Sequence, residues 1–194
     1  MLNLLSIFLN TMLAICSIFG QLFLSYLLAD FLSGVLHWVQ DRYCQRSWPV
    51  VGALIVAPND IHHREPRAFT KDGFLLRNWA SIFVAASCLL IFTLTNSVNT
   101  FTIGFVIASC LLPTQAHYWA HRTAKENGVF IAKLQQWGFI QSARGHWCHH
   151  GGAKDSHFCT MTDFVNPVLE RVRFFQRVEK LIWVLFRVPV KCEA

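Results

Sequence analysis

Nine histidines in a chain of 194 residues are spaced for metal chemistry. They are His37, the pair His62-His63, His117 and His121, His146 with His149-His150, and His157. His117 and His121 are four residues apart, so a helix would place both imidazoles on one face, one turn from each other. His146, His149 and His150 repeat the arrangement at i, i+3 and i+4. His37 and Asp41 share it again, following Asp30 and Gly34 on the same stripe. A neutral imidazole is a common metal ligand, and a nearby carboxylate can hold its other nitrogen in place. That is the role expected of Asp41 beside His37. Singly, each histidine reads as a structural or surface residue; it is their grouping that points to a ligand set.

The number of imidazoles bears on the metal. A zinc site takes three or four ligands, and eight histidines exceed one such site. His117-Tyr-Trp-Ala-His121 lacks the glutamate of the HExxH proteases, so that chemistry has no general base. Imidazole suits iron as well as zinc and copper. Eight nitrogens divide between two irons with positions left open for O2, a centre able to attack an unactivated C–H bond, which no side chain does unaided. The expected ligands are His37, His62, His63, His117, His121, His146, His149 and His150. A lipid chain offers that kind of bond. A desaturase, a hydroxylase using the same kind of centre, and a non-enzymatic metal or haem carrier in the membrane all remain compatible with the histidines. A carrier would string them along a path through the membrane, whereas these gather on one side.

The elements that must position them are set by composition. The chain is 54% apolar and 14% charged, with a mean hydropathy of +0.37. That charge is about half the usual share, which argues against a water-soluble enzyme and against disorder. Seven cysteines, none in a CxxC pair, read as small hydrophobes rather than a disulfide framework. Every Lys and Arg lies between Arg42 and Arg77 or between Arg122 and Lys191, and no charged residue occurs in 1–29 or 78–120. A bilayer core of about 30 Å takes roughly 20 helical residues. Spans are therefore expected at about 4–28, 79–95 and 101–116, the last two joined by a turn at Asn96-Ser-Val-Asn-Thr100. The first segment has neither the basic start nor the cleavage site of a secretory signal. With both basic blocks cytoplasmic, the N-terminus and that turn lie outside and every histidine inside. Surface helices are expected over 129–141 and 167–188, the second basic with Phe and Trp on its other side, as at a membrane surface. The net charge of +6 flanks apolar segments and carries no nucleic-acid motif. The expected architecture is an all-α integral membrane protein, one domain over 1–194, with about three transmembrane helices and a cytoplasmic histidine-rich helical cap.

Several segments are similar to one known family. Asp30-Phe-Leu-Ser-Gly-Val-Leu-His37-Trp38, with Asp41 beyond, resembles the DFxSGxxHW segment of the Kua/CarF lipid desaturases, which include plasmanylethanolamine desaturases and the plastid fatty acid desaturase 4 group. His62-His63 with Pro66 and Thr70, Gln115-Ala-His117-Tyr-Trp-Ala-His121, His146-Trp-Cys-His149-His150, Asn166-Pro167 and Phe174-Phe175 follow in the same order. The resemblance covers about 30–182. It implies a membrane desaturase with a histidine-bound di-iron centre that consumes O2, takes electrons from a partner such as cytochrome b5 or a ferredoxin, and acts on an alkyl or acyl chain of a phospholipid. Two family histidines are replaced, by Asp72 and Lys154. The resemblance therefore nominates Asp72, and His157 from a shifted loop, as stand-in ligands.

Overall fold

The computed structural model describes residues 2–151 and 154–191, the side chains of Leu2, Asn3 and Ala80 excepted. Among the described residues the regular structure is helical, in eight α-helices: α1 (Leu2–Arg42), α2 (Ala57–Arg64), α3 (Phe74–Leu94), α4 (Thr100–Ala120), α5 (Ala124–Gln136), α6 (Ala143–His150), α7 (Val165–Arg171) and α8 (Phe174–Phe186). A π-helical turn, Gly52–Val56, leads directly into α2, and a short 3-10 turn, Ala68–Lys71, precedes α3.

Long helices form at all three places where spans are expected, with different ends. The first does not stop near Leu28. It runs on as one rod through Asp30, His37 and Asp41 to Arg42, because nothing in 29–42 breaks a helix and Asp30 finds its partners inside the fold. Forty-one residues at 1.5 Å each make a rod of about 60 Å. Its segment Leu4–Arg42 is long and apolar enough to cross a membrane, and only 11% of its most apolar window is buried, so the apolar surface faces outward rather than into a core. A shorter apolar run, Ser81–Leu94, lies in α3.

The turn between α3 and α4 is built as its residue types suggest. Asn96 takes a left-handed conformation, φ 52°. Asn99 caps α4: its Oδ1 accepts from the Thr102 amide at 3.0 Å while its own amide donates to Thr102 Oγ1 at 2.8 Å. Helix α4 packs against both α1 and α3. Small residues set the closeness of the α1–α4 contact: a Cβ on Gly104 would meet Leu22 Cδ2 at 2.7 Å, and Ser25 Oγ donates to Phe101 O across the interface. Ala29, Ala108 and Ala116 continue the seam, with Ile140 and Met161 above them.

The remaining helices form the cap. Thr123 and Glu126 make a capping box that starts α5, and Ser142 starts α6 by accepting from the Gly145 amide. The expected surface helix over 129–141 is the part of α5 that follows Gly128, where a φ of 77° breaks the helix, and it ends at Gln136 rather than Gln141. The expected single basic helix over 167–188 is two, because Arg173 adopts a left-handed φ of 49° between α7 and α8. The break lets Leu169 and Phe175 both enter a second core with Trp38, Phe158 and Cys159. Trp38 Nε1 and the Arg42 guanidinium both donate to Glu179, fastening α8 to the end of α1.

Candidate metal centre

Four helices bring the eight expected ligands to one place. His37 comes from α1, His62 and His63 from α2, His117 from α4 with His121 at its cap, and His146, His149 and His150 from α6. They separate into two adjacent groups. One holds His62, His117, His121, His146 and His150; the other holds His37, His63, His149 and Asp41. Within each group the ligand atoms lie within 4.8 Å of one another. Consecutive residues on a helix point about 100° apart, so the His62-His63 and His149-His150 pairs straddle the groups, each contributing one ring to either side. Rings across the divide are close: His63 and His150 centroids are 5.0 Å apart, His37 and His117 6.3 Å.

In the five-histidine group the Nε2 atoms converge. His62 and His117 approach to 2.9 Å, His117 and His121 to 3.0 Å, and His146 and His150 to 2.9 Å. Two neutral rings can share one proton, but five such nitrogens in one place leave lone pairs facing lone pairs. Nitrogens about 2.1 Å from a shared metal ion and at right angles would be about 3.0 Å apart, which is the spacing present. Burial and the neighbouring imidazoles disfavour protonation of these rings: His62 and His150 are pushed down to about 2, His121 to about 4, and His146 well below the usual histidine value. Neutral imidazole is the form that binds a metal. Phe69 stands against His62 and His117, with ring centroids 5.1 Å apart in each case, and closes one side with an apolar wall.

The other group is organised by the backbone. His37 Nδ1 lies 3.0 Å from Phe158 O, and His149 Nδ1 lies 2.9 Å from Ser156 O. A carbonyl only accepts, so both rings carry their proton on Nδ1 and present a bare Nε2. Those atoms face Asp41 Oδ2 at 3.4 and 3.2 Å, while His63 Nε2 faces Oδ1 at 3.3 Å. Asp41 Oδ2 and His149 Nε2 are buried without a hydrogen-bond donor. An anionic oxygen ringed by lone pairs is repulsive unless a cation lies among them, so the donor set fits a metal ion. Asp41 thus faces the nitrogen that a ligand would present, not the Nδ1 it was expected to hold; Phe158 O holds that one.

Asp72 and His157 belong to neither group. Asp72 is exposed at the end of the 3-10 turn. The His157 amide donates to Glu170 Oε1, and its ring lies beside Ser156 Oγ. Sequence reasoning missed Asn59, whose Nδ2 donates to Asp41 Oδ1 at 2.5 Å; only its position one turn before His63 would have hinted at it. A cavity of about 260 Å³ opens beside the five-histidine group, walled by His121, His146, Pro66 and Trp147, with Arg67 and Arg122 at its edge. A second, of about 390 Å³, lies between α1, α4 and α5 and is lined by Tyr26, Leu112, Trp119, Phe130, Leu134 and Phe139.

A family model described as a lipid desaturase domain matches residues 26–193. The chain is 28% identical to a probable fatty acid desaturase of Acanthamoeba polyphaga mimivirus, over 94% of this chain and 90% of that protein. It is 32% identical to plasmanylethanolamine desaturase 1 of Mus musculus, over 80% of this chain and 61% of that protein. With the chloroplastic fatty acid desaturase 4 of Arabidopsis thaliana it shares 34% identity, over 81% and 49% respectively. The chain therefore spans nearly the whole viral relative but only about half to three-fifths of the plant and mouse proteins. No solved structure matches.

Proposed function

Because the chain belongs to the lipid desaturase domain family, we propose that it is an O2-dependent membrane desaturase that uses two irons to introduce a double bond into an alkyl or acyl chain of a phospholipid. The observation that carries this reading is the division of eight histidines and Asp41 into two adjacent, inward-facing ligand groups. Zinc in one closed site would need neither the second group nor so many nitrogens. When bound, the irons would supply the activation of O2 that removal of hydrogen from an unactivated CH2 requires. In the net reaction a CH2–CH2 unit loses two hydrogens and O2 is reduced to two waters; the two further electrons come one at a time from a donor such as cytochrome b5 or a ferredoxin, and the two protons come from solvent.

The chain's own residues supply position and dryness. Phe158 O and Ser156 O hold His37 and His149 in the ligand tautomer. Phe69 and Phe158 line the groups with rings that exclude water. Helices α1, α3 and α4 are read as three spans, with the histidine groups on the cytoplasmic side beside the two basic blocks, and the lipid chain reaches them from the inner leaflet. The names of the relatives cover fatty acids and plasmanylethanolamine alike, so the substrate class is put as the alkyl or acyl chain of a phospholipid.

The test is lipid mass spectrometry on cells that express the wild type or His149→Ala and are fed labelled alkyl-glycerol and labelled palmitate. A product lighter by two hydrogens, present only with the wild type, is expected, and its label names the chain. A product heavier by one oxygen would replace the reading with a hydroxylase. No product with a competent electron donor supplied would refute the proposed activity.

A further inference from the structure

We propose that Asp30, seven residues before His37, is a positioning residue for the four-ligand group and acts through the irregular segment 156–163. This rests on the reading of that group as a metal site. Asp30, Ser33, Gly34 and His37 follow i, i+3, i+4 and i+7 spacing and so share one face of α1. The segment is zipped onto that face in the opposite direction. The Asp30 carboxylate accepts from the Met161 amide at 2.9 Å, the Thr162 amide at 3.1 Å and Thr162 Oγ1 at 2.5 Å. Ser33 Oγ accepts from the Thr160 amide at 3.2 Å. Gly34 lies flat against Cys159: a Cβ there would be 3.0 Å from the Cys159 nitrogen and closer still to its sulfur. One turn on, Phe158 O receives the His37 Nδ1 proton.

Two repeat lengths keep this register. From Asp30 to His37 the helix rises about 10 Å, and the three steps from Met161 back to Phe158 span about 10 Å of extended chain. Each segment residue therefore meets its own helix position, and a slip of one residue would take the Phe158 carbonyl away from His37. The same segment carries Ser156 O to His149, so one docked segment sets two of the three imidazoles. Asp30 is fully buried, and a buried carboxylate is costly unless donors meet its oxygens; here three do. The carboxylate reaches neither ligand group, so its effect on the metal is exerted through the docked segment.

The test is anaerobic loading of the purified full chain with ferrous iron over a range of concentrations, reading iron per chain, with cobalt(II) absorption as a second readout. Asp30→Asn keeps the shape but turns one acceptor into a donor that faces an amide. Its iron in the four-ligand group is expected to weaken about 10- to 100-fold, the range for residues that orient ligands, while the five-histidine group loads as in the wild type. Gly34→Ala, which lifts the docked segment without altering Asp30, is expected to reproduce the loss, and adding Cys159→Ala to it to restore part of the affinity. Unchanged iron binding in Asp30→Asn would overturn the proposal. So would weakening of both groups in step with the melting temperature, which is the signature of a merely structural residue. A wild type that binds no metal at the four-ligand group would overturn the underlying reading itself, and that result needs no variant to be seen.

Discussion

Replacing His149 or His150 by alanine separates two neighbours on α6 that serve different groups. Losing His149 leaves its group with His37, His63 and Asp41, and leaves Ser156 O without its donor. Losing His150 leaves four nitrogens in the other group, the number that fills a closed tetrahedral site. The two losses should therefore be unequal. Residues that only orient ligands account for about 10- to 100-fold in affinity, so removing a ligand from a set of four is expected to exceed about 100-fold, or about 2.8 kcal/mol. His150→Ala is expected to weaken its group by about tenfold. The assay is ferrous iron per chain after anaerobic desalting: two for the wild type, about one for His149→Ala, and between one and two for His150→Ala. Turnover should be lost in His149→Ala, while the protein still enters membranes. Equal losses, or a greater loss from His150→Ala, would refute the assignment of these neighbours to separate groups.

Asp72→Ala and His157→Ala are expected to leave iron per chain unchanged, because neither side chain joins a ligand group; loss of an iron in either would return that residue to the ligand set. The metal-free protein should lose stability as pH falls. His62, His121, His146 and His150 hold folded values below the ordinary 6.5, so the unfolded chain takes up protons that the folded chain does not. Stability is then full above about pH 6.5 and declines below it, and a melting temperature equal at pH 5.5 and pH 8 would contradict the neutral, buried state of these rings. Gly104→Leu drives a side chain into Leu22 at the α1–α4 seam and is expected to cost about 1–3 kcal/mol, measured as a lower melting temperature in detergent; an unchanged value would show that the two helices do not depend on that contact.

Much of the centre was legible because its signal is periodic. The i, i+4 pairs His117/His121 and His146/His150 each lie in a single group, as one helix face requires. The doublets carried less information: His62-His63 and His149-His150 announce ligands, but a 100° step is needed to see that each doublet is divided. The atoms that set the His37 and His149 tautomers are carbonyls of Phe158 and Ser156, and a backbone oxygen has no sequence signature. Asn59 belongs to no histidine motif and became visible only when α2 was laid beside α1. The expected span ends near Asp30, which reads as a charge at its edge, but the helix itself runs on to Arg42 because in the fold Asp30 is a neighbour of backbone amides. Arg173 gave no warning of the break before α8, since its left-handed conformation is imposed by where Leu169 and Phe175 must pack.

The unbroken course of α1 makes it a ruler. Nine residues separate Leu28, where the uncharged stretch is nearly over, from His37, and at 1.5 Å each they set the ligand about 13 Å further along the same axis. No hinge intervenes that would let this offset vary. Inserting a single residue between them would move His37 by 1.5 Å and also swing it through about 100°, off the face that meets the Phe158 carbonyl. A deletion would do the same in the opposite sense. The distance from the uncharged stretch to the ligand groups is therefore counted in residues of one helix, and changes of length in 29–36 are far less tolerable than changes of side chain there.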